Sequence, residues 1–291
     1  MNLKKTSVRE KKEMTIEIEP LVDEPALLVK GQSRTLVLSD IHIGIEWDLY
    51  NSGFLVPSGL ERRLKKIEGY IEQTKPDRIV LLGDIKHNVP QISWQERDEI
   101  PMFLEKLALH AEIDIFPGNH DGGIEFLLPK NKRIHLHPSR GDIIEGVGYF
   151  HGHTWPDPKL ITAEHLIVAH NHPTLRITDI LGYSTSEQVW VKTKLNHEKL
   201  KNHLEKIGVE IPESDTHLDV VVIPAFNELC GGVAFNEAIL EDLLGPAFSS
   251  GSIDTANADI YLLDGMYMGK LKDIKKLSIT KKRKGKRRAS R

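Results

Sequence analysis

Five times along the chain a short apolar run ends in Asp, Asn or His. RTLVLSDIHIG, PDRIVLLGDIKHN, AEIDIFPGNHDGG, GVGYFHGHTWP and HLIVAHNHP share this form, which is that of a buried strand delivering polar side chains to a sheet edge. Between the first three runs the periodicity changes. Residues 57–74 place Leu60, Leu64, Ile67 and Ile71 four, three and four apart, predicting an amphipathic helix. Residues 93–110 predict another, with Pro101 expected to break it or to start a second helix. Strands alternating with helices in this way predict an α/β fold with its site at strand ends.

Outside this region the pattern is plainer. TIEIEP and ALLVK read as short strands before the first run, and EQVWVKT and HLDVVVIPAF as later ones. NHEKLKNHLEKIG reads as a helix closed by Gly208, and ADIYLLDG with MYMGKLKDI as a final hairpin. No internal repeat or Pro/Gly-rich linker interrupts the chain. The expectation is one domain over residues 15–278, with additions after about residue 173, a charged leader at 1–14 and a disordered basic tail at 279–291.

Composition narrows the class. With 40% hydrophobic and 28% charged residues over 291 positions, the chain is neither disordered, collagen-like nor a disulfide scaffold. No apolar run approaches the roughly 18 residues of a membrane span, and MNLKKTSVREKKE has no apolar signal core behind it. The lone cysteine, Cys230, suits a reducing compartment, so a cytoplasmic location is expected. A net charge of −3 hides an asymmetry. KKRKGKRRASR at 281–291 holds eight Lys/Arg and no acid, leaving 31 basic against 42 acidic residues elsewhere.

The residues at the strand exits are Asp40 and His42, Asp84, Asn119 and His120, His151, and His170 with His172. All are oxygen or nitrogen donors without a thiolate, a set that suits Mn, Fe, Zn or Mg rather than a structural zinc knot. In D-x-H and H-N-H, residues i and i+2 are expected on one face. Two such pairs plus a carboxylate able to bridge suffice for two ions about 3.5–4 Å apart.

The strings SDIHIG, LGDIKHN, PGNHD, FHGH and AHNHP, in that order over about 135 residues, resemble the motifs of the calcineurin-like metallophosphoesterase superfamily. Ala169 stands where the last motif usually has glycine. The resemblance implies a layered β-sandwich flanked by helices, with a dinuclear metal site at strand ends. It puts Asp40, His42 and His172 on one divalent ion and Asn119, His151 and His170 on the other, with Asp84 bridging. Mn²⁺ is the first expectation for the ions, with Fe, Zn, Ni or Mg as alternatives. His120 is implied to stabilise the transition state or protonate the leaving oxygen, and Asp121 is expected to accept a hydrogen bond from His120 and hold its tautomer. The ions would activate a hydroxide for in-line attack on a phosphoester.

GDIKHN, HGHTWP and IPAFNELCGG further resemble the branch related to the nuclease subunit SbcD and to ligase- or helicase-associated phosphoesterases. That implies a phosphodiesterase or nuclease of the DNA-repair kind, acting on a nucleic acid or nucleotide diester. A phosphomonoesterase or nucleotide hydrolase is the alternative. A non-catalytic interaction scaffold is disfavoured, because the ligand set is complete.

Other conspicuous residues carry less. His87 is a candidate for substrate contact or an ordinary loop residue, and His153 a neighbour of the site, while His135 and His137 read as ordinary. Cys230 has no His or acid near it in sequence, which disfavours a thiol nucleophile. Trp47, Trp94 and Trp155 are candidates for base stacking, although packing is the commoner fate of a tryptophan.

The tail reads either as a solubilising or fraying terminus or as an arm that contacts nucleic acid, and deletion separates the two. Deleting residues 281–291 should leave hydrolysis of a small diester unchanged and weaken oligonucleotide binding. The slope of log K against log salt should flatten by roughly 0.7 per lost single-strand contact and 0.9 per duplex contact. An unchanged slope overturns the nucleic-acid role.

Overall fold

The apolar runs pair into two sheets. In the first, β1 (Glu17–Pro20), β2 (Leu27–Lys30), β3 (Arg34–Leu38), β4 (Arg78–Leu82), β5 (Glu112–Phe116) and β6 (Ile134–Leu136) lie side by side in chain order. Pairing from β3 to β6 is parallel, and the crossovers carry α1 (Ile45–Asn51), α2 (Leu60–Thr74) and α3 (Trp94–Ala108). The second sheet contains β7 (Asp142–Ile144), β8 (Val147–Phe150), β9 (His165–Val168), β10 (Thr174–Thr178), β11 (Ser184–Lys194), β12 (Asp219–Val222), β13 (Asp259–Leu262) and β14 (Tyr267–Lys270). Its central strands β8, β9 and β12 are mutually parallel. Two further helices are α4 (His197–Lys206) and α5 (Pro246–Ser249). The computed structural model describes residues 15–179, 181–212 and 218–276. The charged leader and the basic tail lie outside the described residues.

Alternation along the strands explains the layering. Leu36, Leu38, Ile79, Leu81, Ile113 and Ile115 face α2 and α3, where they meet Leu64, Ile67, Phe103 and Leu107. Their neighbours Val37, Val80, Leu82 and Phe116 face the second sheet and pack on Tyr149, Ile167, Trp190 and Val221. The far side of the second sheet packs Val168, Val191, Val220 and Val222 on Phe235, Ala247 and Phe248. Strands buried on both faces read as continuous apolar runs, as these do. No helix of the described residues is long and apolar enough to cross a membrane.

Three local expectations change. α3 runs unbroken from Trp94 to Ala108 with Pro101 inside. A mid-helix proline costs about 3 kcal/mol, but Ile100, Phe103 and Leu104 are fully buried around it, and the Ser93–Glu96 capping box secures the first turn. α1, which the pattern did not reveal, starts at Gly44, whose φ of 101° suits glycine. Finally, β3 stops at Leu38 and β9 at Val168. Asp40, His42, His170 and His172 therefore lie beyond the strands, where strand alternation does not orient them.

A buried ion pair fastens α1 to α2. Arg63 Nη2 donates to Glu46 Oε1 at 2.7 Å, and the same carboxylate accepts from Gly59 N at 3.0 Å and Gln95 Nε2 at 3.1 Å. Burial alone would raise the Glu46 carboxyl, but Arg63 outweighs it and holds it below the ordinary range. Glu46→Gln is expected to cost about 3 kcal/mol in urea unfolding at neutral pH, because it strands a buried guanidinium. A depressed folded pKa gives stability that is present above the unfolded value and lost as pH falls through the folded one. The wild-type and variant stabilities should therefore converge in acid, and parallel pH profiles overturn this assignment.

Candidate metal centre

The parallel strands of both sheets bring their carboxyl ends together, and the loops beyond them turn sharply. Asp40, His42, Asp84, His170 and His172 all adopt left-handed backbone, with φ between 42° and 71°. Only three other non-glycine residues do so among the described residues. Each such residue costs roughly 1–2 kcal/mol, and strain of this kind concentrates at functional sites. Ladder bonding continues past the strand ends, from Asp40 N to Gly83 O at 3.1 Å and from His42 N to Asp84 O at 2.8 Å. Ala169, in place of the motif's glycine, is buried and donates to His151 O at 2.9 Å. The bend falls on His170 instead.

Two glycines permit the close approach. A Cβ on Gly118 would sit 2.1 Å from Asp84 Oδ1, and one on Gly83 2.1 Å from His151 Nδ1. Any side chain at either place would displace a donor.

Ligand atoms of Asp40, His42, Asp84 and His172 lie within 4.8 Å of one another, as do those of Asp84, His151 and His170. Asp84 belongs to both groups. Its Oδ2 stands 3.6 Å from His42 Nε2 and 3.3 Å from His151 Nε2, while Oδ1 accepts from His120 N at 2.9 Å. His172 Nε2 lies 3.0 Å from Asp40 Oδ1. Yet both Asp40 oxygens and the Nε2 atoms of His42, His151 and His172 are buried without a hydrogen-bond partner. Orphaned buried polar atoms demand an explanation. Donors converging at close range without hydrogen-bond geometry fit a shared cation.

The other ring nitrogens are occupied. His151 Nδ1 donates to Leu82 O at 3.0 Å and His172 Nδ1 to Gly231 O at 2.8 Å. His42 Nδ1 meets His87 Nδ1 at 3.1 Å. Such outer partners fix the tautomer and leave Nε2 as the nitrogen free to face a cation. Burial drives His42 and His170 down to about 3, so both are neutral. Burial also opposes charge on His151 and His172, but the Asp84 carboxylate raises the former to about 9 and Asp40 raises the latter. Asp40 and Asp84 resist the upward pull of burial because these imidazoles, His172 at Asp40 and His151 at Asp84, hold them low.

Asn119, His120, His170 and His172 line a cavity of about 230 Å³ with His42 and Asp84. His120 Nδ1 faces the carbonyl of His87, and its ring stacks on that of His87. The expected Asp121 to His120 bond is absent. Asp121 accepts instead from Gly118 N at 2.8 Å and Lys86 N at 3.0 Å, tying the loop after β5 to the loop after β4. Its position is set by these two backbone amides, and burial and Asp84 raise its carboxyl to about 6. His153 lies beside His151 and His170 at ring separations of 5.4 and 6.1 Å. His135 and His137 pair with Glu112 and Asp114, away from the site. Trp47, Trp94 and Trp155 do not line the cavity.

Asn227 was not singled out in the sequence. It is fully buried, its N donates to Asp40 O at 3.2 Å, and its Nδ2 donates to Ile41 O at 2.9 Å. Asn171 similarly exchanges two bonds with the backbone of Leu244. The available signal for Asn227 was HLDVVVIPAFN, a sixth apolar run that ends in a polar residue.

A profile described as calcineurin-like phosphoesterase matches residues 33–247. The chain belongs to this family. As a calcineurin-like phosphoesterase it is a metal-dependent hydrolase of phosphoric esters. No curated protein matches its sequence significantly. Among solved structures it is similar to a Pseudomonas putida nuclease, MPE, at 14% identity and TM-score 0.45, covering 86% of this chain and 98% of that one. It is also similar to YfcE, a phosphoesterase from E. coli, at 16% identity and TM-score 0.32, covering 50% of this chain and 73% of that one.

Asn227→Ala leaves the Ile41 carbonyl buried without its donor, which costs about 1–3 kcal/mol. It is expected to lower the midpoint of urea unfolding and to weaken Mn²⁺ binding measured by calorimetry. Wild-type affinity for Mn²⁺ in a destabilised variant would show that Asn227 supports the fold and not the Asp40 to His42 loop.

Proposed function

We propose that this phosphoesterase hydrolyses phosphodiesters, with nucleic acid as its substrate class. The observation that carries the reading is the cavity wall. Its lining of His42, Asp84, Asn119, His120, His170 and His172, with Asn171, Gly231, Gly232, Val233 and Leu244, includes no Lys or Arg. A phosphomonoester carries nearly two negative charges at neutral pH and calls for cationic side chains on its terminal oxygens. A diester carries one charge and needs fewer. The cavity, at about 230 Å³, is also smaller than the roughly 300 Å³ at which pockets begin to enclose small molecules. It accommodates the scissile group while both ester substituents extend over the surface, as those of a polymer do.

Asp40, His42 and His172 are assigned to one divalent ion, Asn119, His151 and His170 to the other, and Asp84 to both. The two spatial groups of donors support that division for Asp40, His42, Asp84, His151, His170 and His172, and Asn119 lines the same cavity. When bound, two ions polarise the phosphoryl oxygens and lower the pKa of the attacking water. The chain's own part is orientation and proton transfer. His120 Nδ1–H, held by the His87 carbonyl, leaves Nε2 as the atom that gives a proton to the leaving oxygen. The ring then remains as the neutral Nδ1–H tautomer. The single cysteine supports a cytoplasmic setting.

With Mn²⁺ as the test ion, kcat/KM for bis-p-nitrophenyl phosphate is expected to exceed that for p-nitrophenyl phosphate by roughly tenfold or more, or about 1.4 kcal/mol of transition-state discrimination. Oligonucleotides should be cut under the same conditions. A preference for the monoester overturns the diester reading in favour of a phosphomonoesterase or nucleotide hydrolase, and intact oligonucleotides beside a cleaved small diester overturn the nuclease reading alone.

A further inference from the structure

Beside the carboxylate-containing set lies a smaller one of different chemistry. Cys230 Sγ and a ligand nitrogen from each of His42 and His172 lie within 4.8 Å of one another. Both imidazoles also belong to the set with Asp40 and Asp84. The two sets overlap, with sulfur replacing the two carboxylates in the second.

The turn carrying the thiol is fixed on both sides. Cys230 N donates to Asn227 O at 3.0 Å and Leu229 N to Asn227 Oδ1 at 3.0 Å. Asn227 is itself bonded to the Asp40 and Ile41 carbonyls beside His42. On the other flank Gly231 O accepts from His172 Nδ1 at 2.8 Å, so the residue after Cys230 orients the second imidazole. His42 is only 3% exposed, and its Nε2 is buried without a hydrogen-bond partner, as is that of His172.

Sulfur with two imidazoles selects soft and borderline cations, whereas carboxylates favour harder ones. We propose that Cys230, His42 and His172 form a second site, for a thiophilic divalent cation such as Cd²⁺ or Zn²⁺, and that filling it inhibits the phosphoesterase. An ion that displaces the proton of the Cys230 thiol and binds its sulfur holds the two imidazoles that the Asp40 and Asp84 set requires, so the two modes of binding exclude each other. The inhibitory consequence rests on the assignment of Asp40, His42, Asp84 and His172 to a hydrolytic ion.

Cys230 is the only cysteine, so a sulfur-to-cadmium charge-transfer band in the ultraviolet reports on this site alone. Titrating the metal-free full-length chain with Cd²⁺ is expected to raise that band to saturation near one equivalent. Cys230→Ala should abolish it. His172→Ala should require more Cd²⁺ by no less than the roughly tenfold that losing a ligand's supporting partner costs. In Mn²⁺-supported hydrolysis of bis-p-nitrophenyl phosphate, Cys230→Ala should keep wild-type turnover and raise the half-inhibitory Cd²⁺ concentration by a similar factor. No band in the wild type overturns the proposal, as does a band that His172→Ala leaves at the same Cd²⁺ concentration, which marks a lone thiol adduct. Equal inhibition of wild type and Cys230→Ala overturns the inhibitory role. The expected band in a chain that hydrolyses neither ester establishes the cation site and overturns the hydrolytic reading alone.

Discussion

Asp40 and Asp84 are two buried carboxylates whose ion-pair neighbours among the described residues are all histidines. Burying a carboxylate costs several kcal/mol unless its charge is answered. At two other buried carboxylates the fold answers the charge with arginine. Asp114, equally buried, faces both Arg78 and His137, and Glu46 faces Arg63. At the strand ends no arginine or lysine among the described residues plays that part. The Nε2 atoms of His151 and His172 stand 3.3 Å from Asp84 Oδ2 and 3.0 Å from Asp40 Oδ1, and the carboxylates raise both imidazoles against the opposing pull of burial.

This arrangement adds cost to the fold. Five residues of the centre sit in left-handed backbone, each at roughly 1–2 kcal/mol, and several buried polar atoms lack partners. The scaffold must hold them against that cost. It does so through an apolar layer shared by the two sheets, running from Val37, Val80 and Phe116 to Tyr149, Ile167 and Trp190, and through side chains that bond to the loops from behind. Asn227 holds the Asp40 to His42 segment and Asn171 holds the segment between His170 and His172. Asp121 joins the loops that bear Asp84 and Asn119. Rigid support matters because buried polar atoms without partners must be held in place by the rest of the fold.

The same sharing of donors bears on function. The cavity lacks lysine and arginine at its wall, so charge neutralisation of a phosphoester falls to the metal ions and to histidine. Dependence on the ions makes their identity consequential. His42 and His172 are common to an oxygen-rich set and to one that includes sulfur, and that overlap couples catalysis to which kind of cation the imidazoles meet.

The sequence by itself determined the α/β alternation and the family motifs, because buried parallel strands are apolar on both faces and polar residues at their ends stand out. Asp40, Asp84 and the histidines were legible for that reason. How they converge was not. D-x-H and H-N-H suggested strand alternation, but the strands end earlier, and left-handed turns orient the side chains. The partner of His120 is a backbone carbonyl, which no residue type announces, while Asp121 is consumed by two amides that only loop packing brings to it. Cys230 stands 58 residues from His172 in sequence and beside it in space, because β9 and β12 pair in parallel and deliver their following loops to one edge. Periodicity records what a residue must bury. The meeting of loops depends on strand order and register, which are properties of the assembled sheets.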